Sequence, residues 1–158
     1  MQLFYRFVQG DAHRCAWELL SDALITAGHS LSDYTLCHTP LGKPYFAEPH
    51  APHFSLSHTK ALAVCAISDT PIGVDAEPCD RKVSPAVCRR FLGGCSPEEA
   101  VLRWTERESF GKLTGEGAAS QPTVFDPDVL CFHSTPVAGH LITVCHLRTD
   151  PPSPPKAL

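Results

Sequence analysis

The chain has 158 residues, 43% of them hydrophobic, enough to close one compact domain or two small, intimately packed halves. A formal charge of -4 and a pI near 6.1 leave no basic field of the kind nucleic-acid binding needs, so any anion site has to come from a local cluster. No apolar run reaches membrane-span length, and the opening MQLFYRFVQG lacks the layout of a signal peptide, which predicts a cytoplasmic protein with no membrane and no nucleic-acid partner.

Leu3 to Val8 read as a short strand, and Gly10-Asp11 ends it with Asp11 available as a helix N-cap. From Ala12 to Ala27 apolar residues recur at spacings of three and four, and Gly28 stands where a left-handed C-terminal cap belongs. Arg14, in the first turn, does nothing for the helix dipole, so it is either solvated or faces an external anion. A short strand over Tyr34–His38 leads into Gly42-Lys43-Pro44, a fixed turn. Phe54-Ser55-Leu56-Ser57-His58-Thr59 alternates apolar and small polar residues. Its hydroxyl- and imidazole-rich end suits a phosphate, or else it is an ordinary half-buried strand.

Ala61–Ile67 is an unbroken apolar run, the pattern of a strand covered on both faces. The tight connection after Ile67 predicts that it pairs as an antiparallel hairpin with Pro71–Glu77, bringing the acids of the latter beside His58 and Thr59. In that second strand Ile72, Val74 and Ala76 point one way, and Asp75 and Glu77 the other. Two carboxylates about 7 Å apart on one face repel, and near a core they need a cation or strong donors between them. A hard divalent cation suits such a pair, and a solvated strand end is the alternative.

After Pro78, Arg81, Lys82, Arg89, Arg90 and Arg103 form the one notable basic cluster, with Ser84-Pro85 starting a short helix. Ser96-Pro97-Glu98-Glu99 starts a second helix expected over Pro97–Leu113. At roughly 100° per residue, Val101, Trp104, Glu108 and Lys112 share one stripe, while Glu106 and Arg107 turn away. Glu108 is then either a third acid for the same cation or half of a surface pair with Lys112. Short strands are expected over Thr123–Phe125, Val129–His133 and His140–Leu147, the last two a hairpin, and a disordered tail over Asp150–Leu158. The eight cysteines form no Cys-x-x-Cys pair and several lie in apolar runs, so most read as small buried hydrophobes, with Cys79, Cys88 and Cys95 a weak metal alternative.

Taken in order, Gly42-Lys43-Pro44, Phe54 to Thr59, Ile72 to Glu77 and Trp104 to Lys112 resemble the motif set of the 4′-phosphopantetheinyl transferases, in the larger pseudodimeric form. Asp11-Ala-His-Arg14 is similar to that family's first helix. The resemblance covers residues 11 to about 147. It implies an α+β fold of two similar halves, about 1–65 and 66–149, each a helix on a small antiparallel sheet, related by a pseudo-twofold axis. It implies transfer of the phosphopantetheine arm of coenzyme A to a serine of an acyl, peptidyl or aryl carrier protein, releasing adenosine 3′,5′-bisphosphate; the chain is expected to be a monomer, with an oligomer as the alternative.

By the same resemblance Asp75, Glu77 and Glu108 would hold magnesium, and Glu108, Lys112 and Asp75 would be the catalytic groups. Coenzyme A would be bound by Arg14, by Gly42, Lys43 and Pro44, and by Ser57, His58 and Thr59. The basic cluster would meet the acidic carrier. Three departures stand out: Arg107 where the family usually has lysine, Ala76 where a larger aliphatic is common, and an N-terminal half shorter by roughly thirty residues. They motivate a second reading, a non-catalytic coenzyme A or carrier-binding protein of the same fold. A third is a zinc-stabilised interaction module.

Overall fold

The computed structural model describes residues 1–116 and 125–148, together with the backbone of 156–157. Strand β1 (Gln2–Phe7) leads into helix α1 (Ala12–Thr26), where the Asp11 carboxylate accepts the Arg14 N–H at 2.6 Å. Gly28 closes the helix at φ +85°, a conformation that turns the His29 N–H back to the Leu24 carbonyl at 2.9 Å. Strands β2 (Leu36–His38) and β3 (Pro44–Phe46) pair as a small ribbon, and β4 (His53–His58), β5 (Leu62–Ser68) and β6 (Ile72–Pro78) follow. Then come α2 (Pro85–Phe91), α3 (Ala100–Thr114), the hairpin β7 (Leu130–Val137) and β8 (His140–Leu147), and β9 (Lys156–Ala157).

The fold is α+β in four layers. Sheet β4-β5-β1-β9 carries α1 on one face and sheet β6-β8-β7 on the other, and α3 covers the far face of the second sheet. Alternation along β5 explains why it is buried throughout: Ala63, Cys65 and Ile67 meet α1, whereas Leu62, Val64 and Ala66 meet Ile72, Val74, Ala76, Ile142 and Val144 of the second sheet. Gly73, Asp75 and Glu77 are thereby turned toward α3. A Cβ on Gly73 would stand 1.9 Å from the Ser109 carbonyl oxygen and 2.5 Å from the Leu113 nitrogen, so the helix backbone rides directly on the strand.

Three expectations need correction. The strands Leu62–Ser68 and Ile72–Pro78 do not pair with each other. Both edges of β5 are taken, by β1 and β4, and β6 pairs with β8. The third helix begins at Ala100 rather than Pro97, although the start signal is intact: Ser96 and Glu99 exchange side-chain bonds to each other's backbone N–H at 3.3 and 3.1 Å. Phe125 belongs to no strand; residues 123–124 of the strand expected there lie outside the described residues. Of the expected tail, residues 150–155 and 158 also lie outside them, and 156–157 pair in parallel with β1.

All eight cysteines are free thiols, with Cys15, Cys65, Cys88 and Cys145 buried. Burial pushes the Cys145 thiol up to about 12, and Cys65 further still, which keeps both protonated and unreactive.

Candidate active site

The two sheets meet along an unusual seam, and Asp75 lies on it. The free edge of β6 is not paired by a strand. Instead, the Ser55 hydroxyl accepts the Val74 N–H at 3.0 Å and the Ser57 hydroxyl accepts the Ala76 N–H at 3.2 Å. The Ser57 hydroxyl in turn donates a hydrogen bond to Asp75 Oδ1 at 3.0 Å, and Lys112 Nζ donates to the same oxygen at 2.8 Å. Asp75 is 5% exposed, and its Oδ2 is buried with no hydrogen-bond partner among the described residues. Burial raises the Asp75 pKa, and the nearby ammonium of Lys112 only partly opposes that rise. Half of a buried carboxylate is therefore left unsatisfied beside two further acids.

Glu108 lies one turn before Lys112 on α3. Its pKa is raised first by burial and then by the negative charge of Asp75, with Glu77 adding to the rise. Glu77 is engaged elsewhere: Arg81 donates to its Oε1, as does Trp104 Nε1 at 3.2 Å, and the Arg81 guanidinium lies 4.8 Å over the Trp104 ring. The three acids thus share one electrostatic neighbourhood, with Arg81 and Lys112 as their cations.

Glu108 and Lys112 open onto a cleft of about 430 Å³ between α3, α1, β4 and the β2–β3 turn. Of the residues singled out in the sequence, Gly42, Lys43, Pro44, His58, Glu108 and Lys112 line it. Gly42, at φ +87°, lets the turn close with Lys43 and Thr39 bonded to each other. Lys43 Nζ donates to the Leu113 carbonyl at 2.8 Å, which sets a cation at the negative end of α3, and burial lowers its pKa. Ser57 and Asp75 sit behind this surface. Thr59 accepts the backbone N–H groups of Ala61 and Leu62 and contacts His140 at 3.0 Å, away from the cleft lining. Arg14 is exposed and paired with Glu18 at 2.7 Å, also outside the lining.

Sequence reasoning missed three aromatic members of this cleft, His13, Trp17 and His38. His13 and Trp17 are four apart on α1, with Trp17 Nε1 donating to His13 Nε2 at 3.2 Å and the His13 ring edge-on to His58 at 6.0 Å. The i,i+4 spacing was visible, but the polar end of a mostly core helix gives no sign of facing a cavity.

Arg107 does turn away from the acid stripe, and it is buried, donating to the Phe91 carbonyl at 2.9 Å with its guanidinium 5.4 Å from the Phe91 ring. It fastens α2 to α3. Of the basic cluster, Arg81 and Arg103 are paired with Glu77 and Glu106, while Arg89, Arg90 and Lys82 are exposed.

No protein-family model matches the chain. It is 28% identical over 125 residues to 4′-phosphopantetheinyl transferase Sfp of Bacillus subtilis (strain 168), covering 68% of this chain and 54% of that protein. It is 30% identical over 88 residues to 4′-phosphopantetheinyl transferase psf-1 of Bacillus pumilus, covering 48% of this chain and 37% of that one. A 4′-phosphopantetheinyl transferase of Bacillus subtilis matches at 30% over 91 residues, 48% of this chain and 39% of its own. The chain spans about half the length, or less, of these curated relatives. Its similarity to the 4′-phosphopantetheinyl transferase superfamily rests on sequence identity as well as on the ordered motifs.

Proposed function

We propose that the chain moves the 4′-phosphopantetheine arm of coenzyme A onto a serine of an apo carrier protein, with magnesium, and releases adenosine 3′,5′-bisphosphate. The observation that carries this reading is the unsatisfied Oδ2 of Asp75, buried beside Glu108 and Lys112 at the back of a cleft lined by Lys43 and His58. An orphaned carboxylate oxygen next to a second acid of raised pKa fits a hard cation with oxygen ligands. Asp75 and Glu108 would hold the cation, and Glu77, whose Oε1 is held by Arg81 and Trp104, would join them through Oε2. When bound, magnesium neutralises charge on the phosphates and on the departing bisphosphate.

The chain's own groups account for the remaining chemistry. Lys43, His58 and the donors around Gly42 bind and orient coenzyme A in the cleft, and Arg14 reaches it only by leaving Glu18. The carrier serine oxygen attacks the pantetheine-side phosphorus, the bond from that phosphorus to the bridging oxygen of the bisphosphate breaks, and Glu108 takes the serine proton. A carboxylate in this role needs only hydrogen-bond reach of the serine hydroxyl at the moment of attack. Lys112 places its positive charge where the phosphoryl oxygens gather charge in the transition state. Arg89, Arg90 and Lys82 supply the exposed positive face for an acidic carrier. The two helix-on-sheet units would be the two halves of a pseudodimer, in a cytoplasmic monomer.

The test is mass spectrometry of several apo carrier proteins incubated with the chain, magnesium and coenzyme A. A gain of the phosphopantetheine mass, lost in Asp75→Asn and Glu108→Gln, is expected. No gain on any carrier refutes transfer. One observation favours the second reading, a binding protein without catalysis: Oε1 of Glu77 is held by both Arg81 and Trp104. Calorimetric binding of coenzyme A with no bisphosphate released in the presence of carrier would establish it.

A further inference from the structure

On the face of sheet β6-β8-β7 turned away from α3, the hairpin β7–β8 gathers a second group of ligand-type side chains. Cys131 and His133 lie two apart on β7 and so share a face, and the register sets His146 of β8 directly across from Cys131. One ligand atom from each of the three lies within 4.8 Å of the others, and among the described residues this is the group of three or more that could hold a metal ion. The imidazoles of His133 and His146 stack with centroids 5.3 Å apart and planes 9° from parallel.

The hydrogen bonding points the same way. His146 is 4% exposed, and its Nδ1 is 2.7 Å from the Leu147 carbonyl oxygen. A carbonyl cannot donate, so Nδ1 carries the proton and, in the neutral ring, Nε2 carries the lone pair. That Nε2 is buried and has no partner among the described residues, and the same holds for Nε2 of His133. A histidine oriented through one nitrogen by a backbone carbonyl, with the other left open, is the arrangement found at metal ligands. Cys131 and His133 also line a cleft of about 820 Å³, so two of the three ligands border open space.

We propose that Cys131, His133 and His146 form a binding site for a thiophilic first-row divalent cation such as zinc, separate from the carboxylate site on the α3-facing side of the same sheet. One thiolate and two imidazoles suit zinc and are the wrong donors for magnesium. Ligand atoms about 2.0 to 2.3 Å from a tetrahedral ion stand roughly 3.3 to 3.8 Å from each other, so closure takes side-chain rotations of about 1 Å. Because the ligands tie the edge strand β7 to the central strand β8, the ion would clamp the hairpin that supports α3.

Cobalt(II) titration of the purified chain tests this. Uptake of one equivalent with a thiolate-to-cobalt charge-transfer band in the near ultraviolet and a tetrahedral visible spectrum is expected, reversed by zinc. Cys131→Ser should abolish the charge-transfer band while circular dichroism remains that of the unmodified chain. His146→Gln should weaken cobalt affinity by more than the about 10- to 100-fold typical of losing an outer-shell partner. Asp75→Asn and Cys88→Ser should leave the band in place. No thiolate band at one equivalent overturns the proposal. So does a band that survives Cys131→Ser, disappears in Cys88→Ser, which would assign it to the neighbouring Cys88 and Cys95 thiols, or disappears in Asp75→Asn, which would assign it to the acid cleft.

Discussion

Replacing Gly73 by alanine perturbs the site without touching any group in it. The added methyl carbon would lie 1.9 Å from the Ser109 carbonyl oxygen, about 1.1 Å inside the 3.0 Å limit, and 2.5 Å from the Leu113 nitrogen. Both obstacles are backbone, so no side-chain rotation relieves them and α3 has to lift from β6 by roughly 1 Å or more. Overpacking of this kind costs about 2–4 kcal/mol. With a urea slope of roughly 2 kcal/mol/M for a chain of this size, the unfolding midpoint should fall by about 1–2 M. The lifted helix carries Glu108 and Lys112 away from Asp75, which breaks the 2.8 Å Lys112–Asp75 bond. A displacement of that size should lower carrier modification by about 100-fold. Paired urea melts and mass-based transfer assays on Gly73→Ala would measure both. A midpoint within about 0.2 M of the unmodified chain would refute the claim that α3 is seated on the strand backbone.

Further expectations concern the acids and their donors. Ser57→Ala strands the Ala76 N–H and removes a donor from Asp75, a loss of about 1–3 kcal/mol in chemical denaturation, and an effect under about 0.5 kcal/mol would show that the seam contributes little. Lys112→Met leaves a buried carboxylate without its cation. Because the lysine side chain is 32% exposed, a discounted cost of about 1–3 kcal/mol at neutral pH is expected, shrinking on acidification; a cost independent of pH would contradict it. Glu108 has a folded pKa above its unfolded value, so between the two the native state holds the extra proton and stability falls as pH rises. Glu108→Gln should accordingly be more stable than the unmodified chain above the raised pKa, with the gap closing as pH falls toward 4.5; melts across that range showing a constant or inverted gap would refute it. Magnesium should raise the melting temperature of the unmodified chain and leave that of Asp75→Asn unmoved; equal shifts in the two would remove Asp75 from the cation site.

Local pattern carried α1, the start signal of α3 and the two faces of β6 into the structure, because caps and periodicity are written within a few residues. It failed at the hairpin. A short link between two apolar runs says that they are neighbours, but which edge each strand uses depends on β1, sixty residues away, and on β8, nearly seventy residues away. Asp75 nevertheless reaches Ser57, through side chains crossing the seam rather than through strand pairing. Gly73 could be read as a member of the acid face, yet nothing near it in sequence announces the helix backbone that lies against it. Cys131, His133 and His146 were equally hidden, since a Cys-x-His on one strand becomes a cluster only when the register supplies the third residue.

The serine seam has a consequence for how the two sheets are set against each other. Ser55 and Ser57 are spaced two apart on β4, and their acceptors meet N–H groups also spaced two apart on β6. Matched combs of this kind act as a vernier. A slide of one residue takes both serines off their amides. Alignment of the layers along the strand axis is thus quantised by two hydroxyls. The same tooth that fixes the alignment also holds Asp75, so the sheets cannot shift against each other without moving the carboxylate with them.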